Sequence, residues 1–212
     1  MAVILGIDTG GTYTDSVLLD ASSQQVLRSA KAFTTKPDLL PGIAASLDRL
    51  NWVHPEEITM VCLSTTLATN AVVEQQGGRV GAFLLGRDAA GQIPAAKVCR
   101  LQGTLDIKGR ILEDISPEQI RRVMGAWAGK VDAIAVSGFA SVRNAVHESR
   151  TRDIIQKQWD IPVVCAHELS GALGFYERTV TAVLNAALIP NIQALMDACR
   201  HALAQRGIHA PV

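Results

Sequence analysis

Near the N-terminus the segment Gly6-Ile7-Asp8-Thr9-Gly10-Gly11-Thr12-Tyr13-Thr14-Asp15 sets one carboxylate on each side of two adjacent glycines. Glycines let the backbone turn tightly and approach an anion with no β-carbon in the way. Successive N–H groups can then point at phosphate oxygens as a nest, and the Thr9 and Thr12 hydroxyls add donors. Asp8 ends the apolar run Val3 to Ile7 and is acceptor-only when ionised, so it needs a cation. Mg²⁺ held through water beside the phosphates is the economical choice, because it prefers oxygen ligands and keeps several waters. Asp15, entering the next strand, is a candidate for a similar catalytic role. The rival reading is an ordinary hairpin whose Gly-Gly only supplies positive φ; the paired aspartates and threonines favour the phosphate reading. Other phosphate motifs are missing: there is no G-x-x-x-x-G-K-[ST], Gly86 to Gly91 runs into Gln92, and no G-x-G-x-x-G follows a strand.

A second polar cluster, Thr65, Thr66, Thr69 and Asn70, follows the apolar run Thr59 to Leu63 at its carboxyl end and opens a helix. Open α/β sheets take ligands there, and helix N-termini bind anions. These side chains either donate to substrate or γ-phosphate, or Ser64 or Thr65 is an N-cap and Asn70 caps locally. Glu177 and Arg178 read either as an ion pair in a first helical turn or, for Arg178, as a clamp on carboxylate or phosphate. His147 and Glu148 follow Asn144 and read as capping. The four cysteines and five histidines are scattered without C-x-x-C or H-E-x-x-H spacing, so no His/Cys metal site is expected.

The elements around these clusters follow from periodicity. Val3 to Ile7, Ser16 to Leu19 and Gln25 to Phe33 predict three antiparallel strands. Leu40, Ile43, Ala44, Leu47 and Leu50 predict a helix after Pro37. Thr59 to Leu63, Thr66 to Gln76 and Arg79 to Leu85 predict a βαβ crossover. Gly86 to Glu113 predicts loops with one or two short strands. Ser116-Pro117-Glu118-Gln119 is a capping box opening a helix to about Ala128. Val131 to Ser137, the helix from Asn144 to Gln158, and Ile161 to Cys165 form a second βαβ unit. A long helix from Glu177 to Gly207 is expected to kink or split at Pro190. Ile208 to Val212 resembles the approach to a further strand. The expected division is 1–85 as an ATPase-lobe core, 86–176 as an inserted α/β region, and 177–212 as a helical segment leading to a second lobe. Twenty basic and twenty acidic side chains cancel, so no net field favours nucleic acid or an anionic membrane, and a small ligand is expected. Without a basic leader or an apolar run of about eighteen residues, the expectation is a cytoplasmic protein with no membrane span.

The opening segment resembles that of the hydantoinase/oxoprolinase family, the ATP-using subunits related to 5-oxoprolinase, N-methylhydantoinase and the acetone and acetophenone carboxylases. Ser64-Thr65-Thr66-Leu67-Ala68-Thr69-Asn70-Ala71 with Gly77-Gly78-Arg79-Val80 resembles its T-T-x-A-T-N-A stretch, with serine at 64 where many relatives carry glycine. Tyr176-Glu177-Arg178-Thr179 with Val183-Leu184-Asn185-Ala186 resembles its Y-E-R-x-x-T-x-x-L-N-A stretch. The resemblance spans nearly the whole chain and is weakest over 86–115. It implies an α/β, actin/hexokinase-like (ribonuclease H-like) ATPase lobe with a mixed sheet plus a second βαβ unit, using ATP and Mg²⁺. It implies a hydrolase opening a cyclic amide of hydantoin or 5-oxoproline type through a phosphorylated intermediate, with a second catalytic subunit or domain. The alternatives are the ATP-using subunit of a ketone carboxylase complex and an isolated, non-catalytic lobe. No second phosphate loop or adenosine pocket has a candidate within 1–212, so the segment alone is expected to be inactive.

Overall fold

The computed structural model describes residues 2–74 and 76–212. In chain order the elements are β1 (Val3–Thr9), β2 (Tyr13–Asp20), β3 (Val26–Phe33), α1 (Leu40–Leu50), β4 (Ile58–Thr65) and α2 (Leu67–Val73). Next come β5 (Val80–Leu85), β6 (Lys97–Leu101), β7 (Thr104–Leu105), β8 (Ile111–Glu113) and α3 (Pro117–Trp127). The rest is β9 (Ala133–Gly138), α4 (Val146–Gln156), β10 (Val163–Cys165), α5 (Ala166–Leu169) and α6 (Phe175–Ala204). These form two compact units, Met1–Gln76 with Asn191–Val212, and Gly77–Pro190.

In the first unit the sheet order is β3-β2-β1-β4. Three antiparallel strands lead through α1 to β4, which returns parallel to β1, the long crossover that parallel pairing requires. Alternation turns Val3, Leu5 and Ile7 inward to pack with Leu18, Val61, Ile43 and Leu47 and with Leu195, Cys199 and Leu203 of α6. Because strand side chains alternate with period two, this buried set forces Asp8 onto the opposite, open face. Beneath β2, Ser16 Oγ lies 2.7 Å from Ser46 Oγ, which in turn donates to the Ile43 carbonyl at 2.8 Å.

In the second unit the sheet order is β10-β9-β5-β6, all parallel. β5 and β9 are buried along their whole length, which is why they read as unbroken apolar runs. The large residues Phe83, Ile134 and Val136 pack with Ile120, Met124 and Trp127, and Phe83 stacks on Trp127 at 4.8 Å between centroids. The opposite face is built small, with Ala82, Ala133 and Ala135 against Ala182, Val183 and Ala186 of α6.

Several expectations need correction. β5 is not the return strand of a crossover from β4: it pairs with β9 and β6, because a strand apolar on both faces belongs in a sheet covered on both sides. Gly86 to Glu113 holds three short strands, and β6 completes the parallel sheet. At α3, Ser116 Oγ accepts the Gln119 N–H at 3.2 Å, but the Gln119 side chain accepts the Gln102 N–H at 2.9 Å, so only half of the capping box forms. At Pro190 the split does not occur, and α6 runs through without a break; the Gly78 N–H bonds the nearby Ala187 carbonyl at 2.8 Å. By length and a mean hydropathy of 1.4 over one window, α6 also matches a membrane span; its apolar side chains supply the two cores named above.

Glu148 does not cap α4; Asn144 Oδ1 accepts the Val146 N–H there at 3.1 Å. The fully buried Glu148 carboxylate instead ties the ends of β9 and β10 together. It accepts the Gly138 N–H at 2.7 Å, the His167 N–H at 3.0 Å, and sits 2.6 Å from His167 Nδ1. That hydrogen bond raises the His167 pKa above its ordinary 6.5.

Two outcomes are expected. Ser46→Ala strands the buried Ser16 hydroxyl and costs about 1–3 kcal/mol in urea unfolding, whereas Ser16→Ala with Ser46→Ala costs less than Ser46→Ala alone. A raised histidine pKa gives stability that is fully present below about pH 6.5 and is lost as pH rises through the folded value. Melting temperature should therefore fall from pH 6 to 8 more steeply in the native chain than in His167→Gln; equal slopes would refute the linkage.

Candidate functional site

At the open end of β1 the chain turns through Gly10 and Gly11 into β2. The Gly10 N–H donates to the Tyr13 carbonyl at 2.9 Å and closes the turn. Among the described residues the Gly11 and Thr12 amides make no backbone bond, so the nest is narrower than expected: two N–H groups, not a run of them. The start of α2 lies directly against this turn. Thr65 Oγ1 donates to the Thr9 carbonyl at 2.7 Å and accepts the Leu67 N–H at 3.0 Å. A Cβ at Gly11 would meet Asn70 Nδ2 at 3.0 Å, and one at Gly10 would meet the Tyr13 carbonyl oxygen at 3.2 Å and Thr66 Oγ1 at 3.7 Å. The glycines thus leave a cradle with an amide and a hydroxyl at its rim.

The carboxylates sort themselves by cross-strand pairing. Asp8 stands opposite Asp15 on β2 and beside Ser64 on β4. Like charges directly opposite destabilise a sheet. Here Lys31, opposite Asp15 on β3, relieves the repulsion through a 3.0 Å contact of its Nζ with Asp15 Oδ1. Lys31 also lies 4.8 Å from the Tyr13 ring. Asp8 is exposed and carries no ion pair among the described residues. Lys31 is a site residue that no local motif marks; its place in the alternation of β3 is the signal that finds it.

The expected site residues therefore separate into groups. Gly10, Gly11, Thr12, Asp8, Thr66 and Asn70 converge at the turn. Thr65 is a stitch between β1 and α2, its hydroxyl already used on both sides. Thr9 Oγ1 is buried without a hydrogen-bond partner, on the core face and away from the cradle. Thr69 is exposed on α2, which has only seven residues and whose first amide is taken by Thr65, so the helix end adds little. A cavity of about 530 Å³ adjoins the turn, lined by Lys36, Leu67, Asn70, Glu74 and Asn191 among others; Asn70 belongs to both.

Arg178 lies in the second unit and is fully buried. It donates from Nη1 to the Ala172 carbonyl at 2.8 Å and from Nη2 to the Gly138 carbonyl at 2.9 Å, holding backbone where either an ion pair or a clamp on carboxylate or phosphate was expected. Three scattered residues do meet, Glu148, Cys165 and His167, with ligand atoms within 4.8 Å of one another. The carboxylate is already engaged by the Gly138 and His167 N–H groups and by His167 Nδ1, and burial pushes the Cys165 thiol up to about 12. A cation and phosphates fit the Asp8 cradle better, where an exposed carboxylate and two amides without partners among the described residues lie beside two polar side chains.

The family described as hydantoinase/oxoprolinase N-terminal region matches residues 4–159. The acetophenone carboxylase gamma subunit of Aromatoleum aromaticum is 29% identical over 97% of this chain and 34% of its own length. The caprolactamase subunit alpha of Pseudomonas jessenii is 32% identical over 88% of this chain and 31% of its own. The ATP-dependent caprolactamase structure from Pseudomonas jessenii superposes with a TM-score of 0.73 and 26% identity over 96% of this chain and 34% of that one. Nucleotide-free acetone carboxylase gives a TM-score of 0.73 and 23% identity over 97% and 35%. The chain spans about a third of the length of these relatives. The α/β fold, with a mixed sheet and a second βαβ unit, is shared with these relatives, and the chain belongs to the hydantoinase/oxoprolinase family.

Proposed function

We propose that this chain is the phosphate-binding N-terminal part of an ATP-dependent enzyme that opens a cyclic amide, working with a further catalytic subunit or domain. The observation that carries the reading is the cradle at Gly10 and Gly11, rimmed by Thr66 Oγ1 and Asn70 Nδ2 and flanked by Asp8, which has no ion pair among the described residues. The Gly11 and Thr12 amides take phosphate oxygens, and the Thr66 hydroxyl and Asn70 amide add donors from the side. Asp8 holds the water shell of Mg²⁺, while Lys31 keeps Asp15 neutralised so that the cation faces a single free carboxylate. Bound ATP supplies a phosphoryl group that makes the amide oxygen a leaving group, with Mg²⁺ spreading the developing charge. The ATP-dependent caprolactamase relative supports a lactam or related cyclic amide as substrate class.

A second reading, the ATP-using subunit of a ketone carboxylase, is favoured by the match to the acetophenone carboxylase gamma subunit over 97% of this chain. ATPase turnover in the assembled enzyme separates the two. Stimulation by caprolactam, hydantoin or 5-oxoproline without bicarbonate supports the amidase; stimulation by acetone or acetophenone only with bicarbonate supports the carboxylase. Asp8→Asn should lower ATP turnover by about 10²-fold or more with the melting temperature unchanged, and unaltered turnover would remove Asp8 from the chemistry. By itself the 212-residue chain should bind ATP with a Kd well above about 1 μM in calorimetry.

A further inference from the structure

The parallel sheet of the second unit has a crevice of its own. β5 comes first in the chain, β6 lies on one side of it, and β9 and then β10 lie on the other. The connections therefore diverge between β5 and β9, and open α/β sheets take ligands outside the carboxyl ends of the strands at such a switch point. A cavity of about 430 Å³ opens there, walled by Leu85, Leu105 and Phe139 and bounded on one side by β7 and the residues after it, Asp106 and Ile107. Gly86, at φ +81°, permits the geometry, since a Cβ would meet the Gly103 carbonyl oxygen at 2.8 Å and Thr104 Cα at 2.9 Å.

This tight exit from β5 carries Arg87 over the Phe139 ring, 4.3 Å from its centroid. Arg87 has no ion pair among the described residues. The one acid lining the cavity, Asp106, is already balanced: it accepts from Arg110 Nε at 2.6 Å and from the Lys108 and Arg110 N–H groups at 2.9 Å. The Thr104 hydroxyl is taken by Glu113 at 3.1 Å. What remains is a guanidinium without an ion pair among the described residues, resting over an aromatic ring beside apolar walls. A planar fork of donors matches a carboxylate in two parallel hydrogen bonds, and one positive charge suits a monoanion. We propose that this crevice binds a small carboxylic acid with an apolar ring or chain, its carboxylate on Arg87 and its body against Leu85, Leu105 and Phe139. The assignment stands apart from the ATP reading, whose residues lie in the first unit.

Titrating the 212-residue chain with benzoate and cyclohexanecarboxylate, and with benzamide and cyclohexanecarboxamide as neutral counterparts, tests it by amide NMR. The acids should bind saturably, with shifts centred on residues 85–87, 104–107 and 139, and the amides about tenfold more weakly. Arg87→Gln should weaken the acids by about tenfold, the factor given by about 1.4 kcal/mol, and leave the amides unchanged, with melting confirming the fold. Leu105→Trp, which fills the cavity without touching the charge, should abolish binding of both. Equal binding of acids and amides, indifference to Arg87→Gln, shifts centred elsewhere, or no saturable binding at millimolar acid would overturn the proposal.

Discussion

The register of β1 is the constraint on which the first unit depends. Val3, Leu5 and Ile7 must face the core formed with α1 and α6, and with a side-chain period of two this leaves Asp8 no choice but the open face. The same register sets Asp8 opposite Asp15 and beside Ser64 and brings the turn at Gly10 and Gly11 against α2. A slip of one residue would bury the Asp8 carboxylate and turn three aliphatic side chains into solvent. Hydrophobic burial is worth about 25 cal/mol per Å² of apolar surface, so core packing far outweighs the modest cost of setting two aspartates side by side. Lys31 then removes much of that cost.

The second unit solves a different problem with the same materials. Its central strands are apolar on both faces, one face large and one small, so helices with different side chains fit the two sides. The strand ends need polar fastening, and buried Glu148 and Arg178 supply it by bonding backbone groups. Charged residues this deeply buried are costly unless their hydrogen bonds are made. Their role is to hold the carboxyl edge of the sheet in place, and the crevice beside Arg87 lies along that edge.

Much of this was legible in the sequence. The three opening strands, the Ser116 cap, the β9-α4-β10 unit and the glycine turn all rest on local signals: alternation, capping chemistry and paired glycines. What was not legible depends on pairing between distant segments. Nothing local says that β5 joins β9 and not β4, because an all-apolar strand is compatible with any sheet covered on both faces. Asp8 and Asp15 look equivalent until β3 brings Lys31 to one of them. Thr9 and Thr12 look equivalent until the alternation of β1 turns the first inward. Arg178 reads as an ion-pair partner or a clamp until the fold shows both of its terminal nitrogens on carbonyls. Arg87 drew no notice because its meaning comes from Phe139, far along the chain.

The central claim is that the Gly10–Gly11 turn and the start of α2 form one phosphate-binding cradle. Amide hydrogen exchange of the assembled enzyme, with and without a non-hydrolysable ATP analogue and Mg²⁺, tests it most directly. The account predicts slowed exchange at Gly11 and Thr12, with smaller protection across Thr66 to Asn70. Protection confined to other segments while the analogue is bound would contradict it.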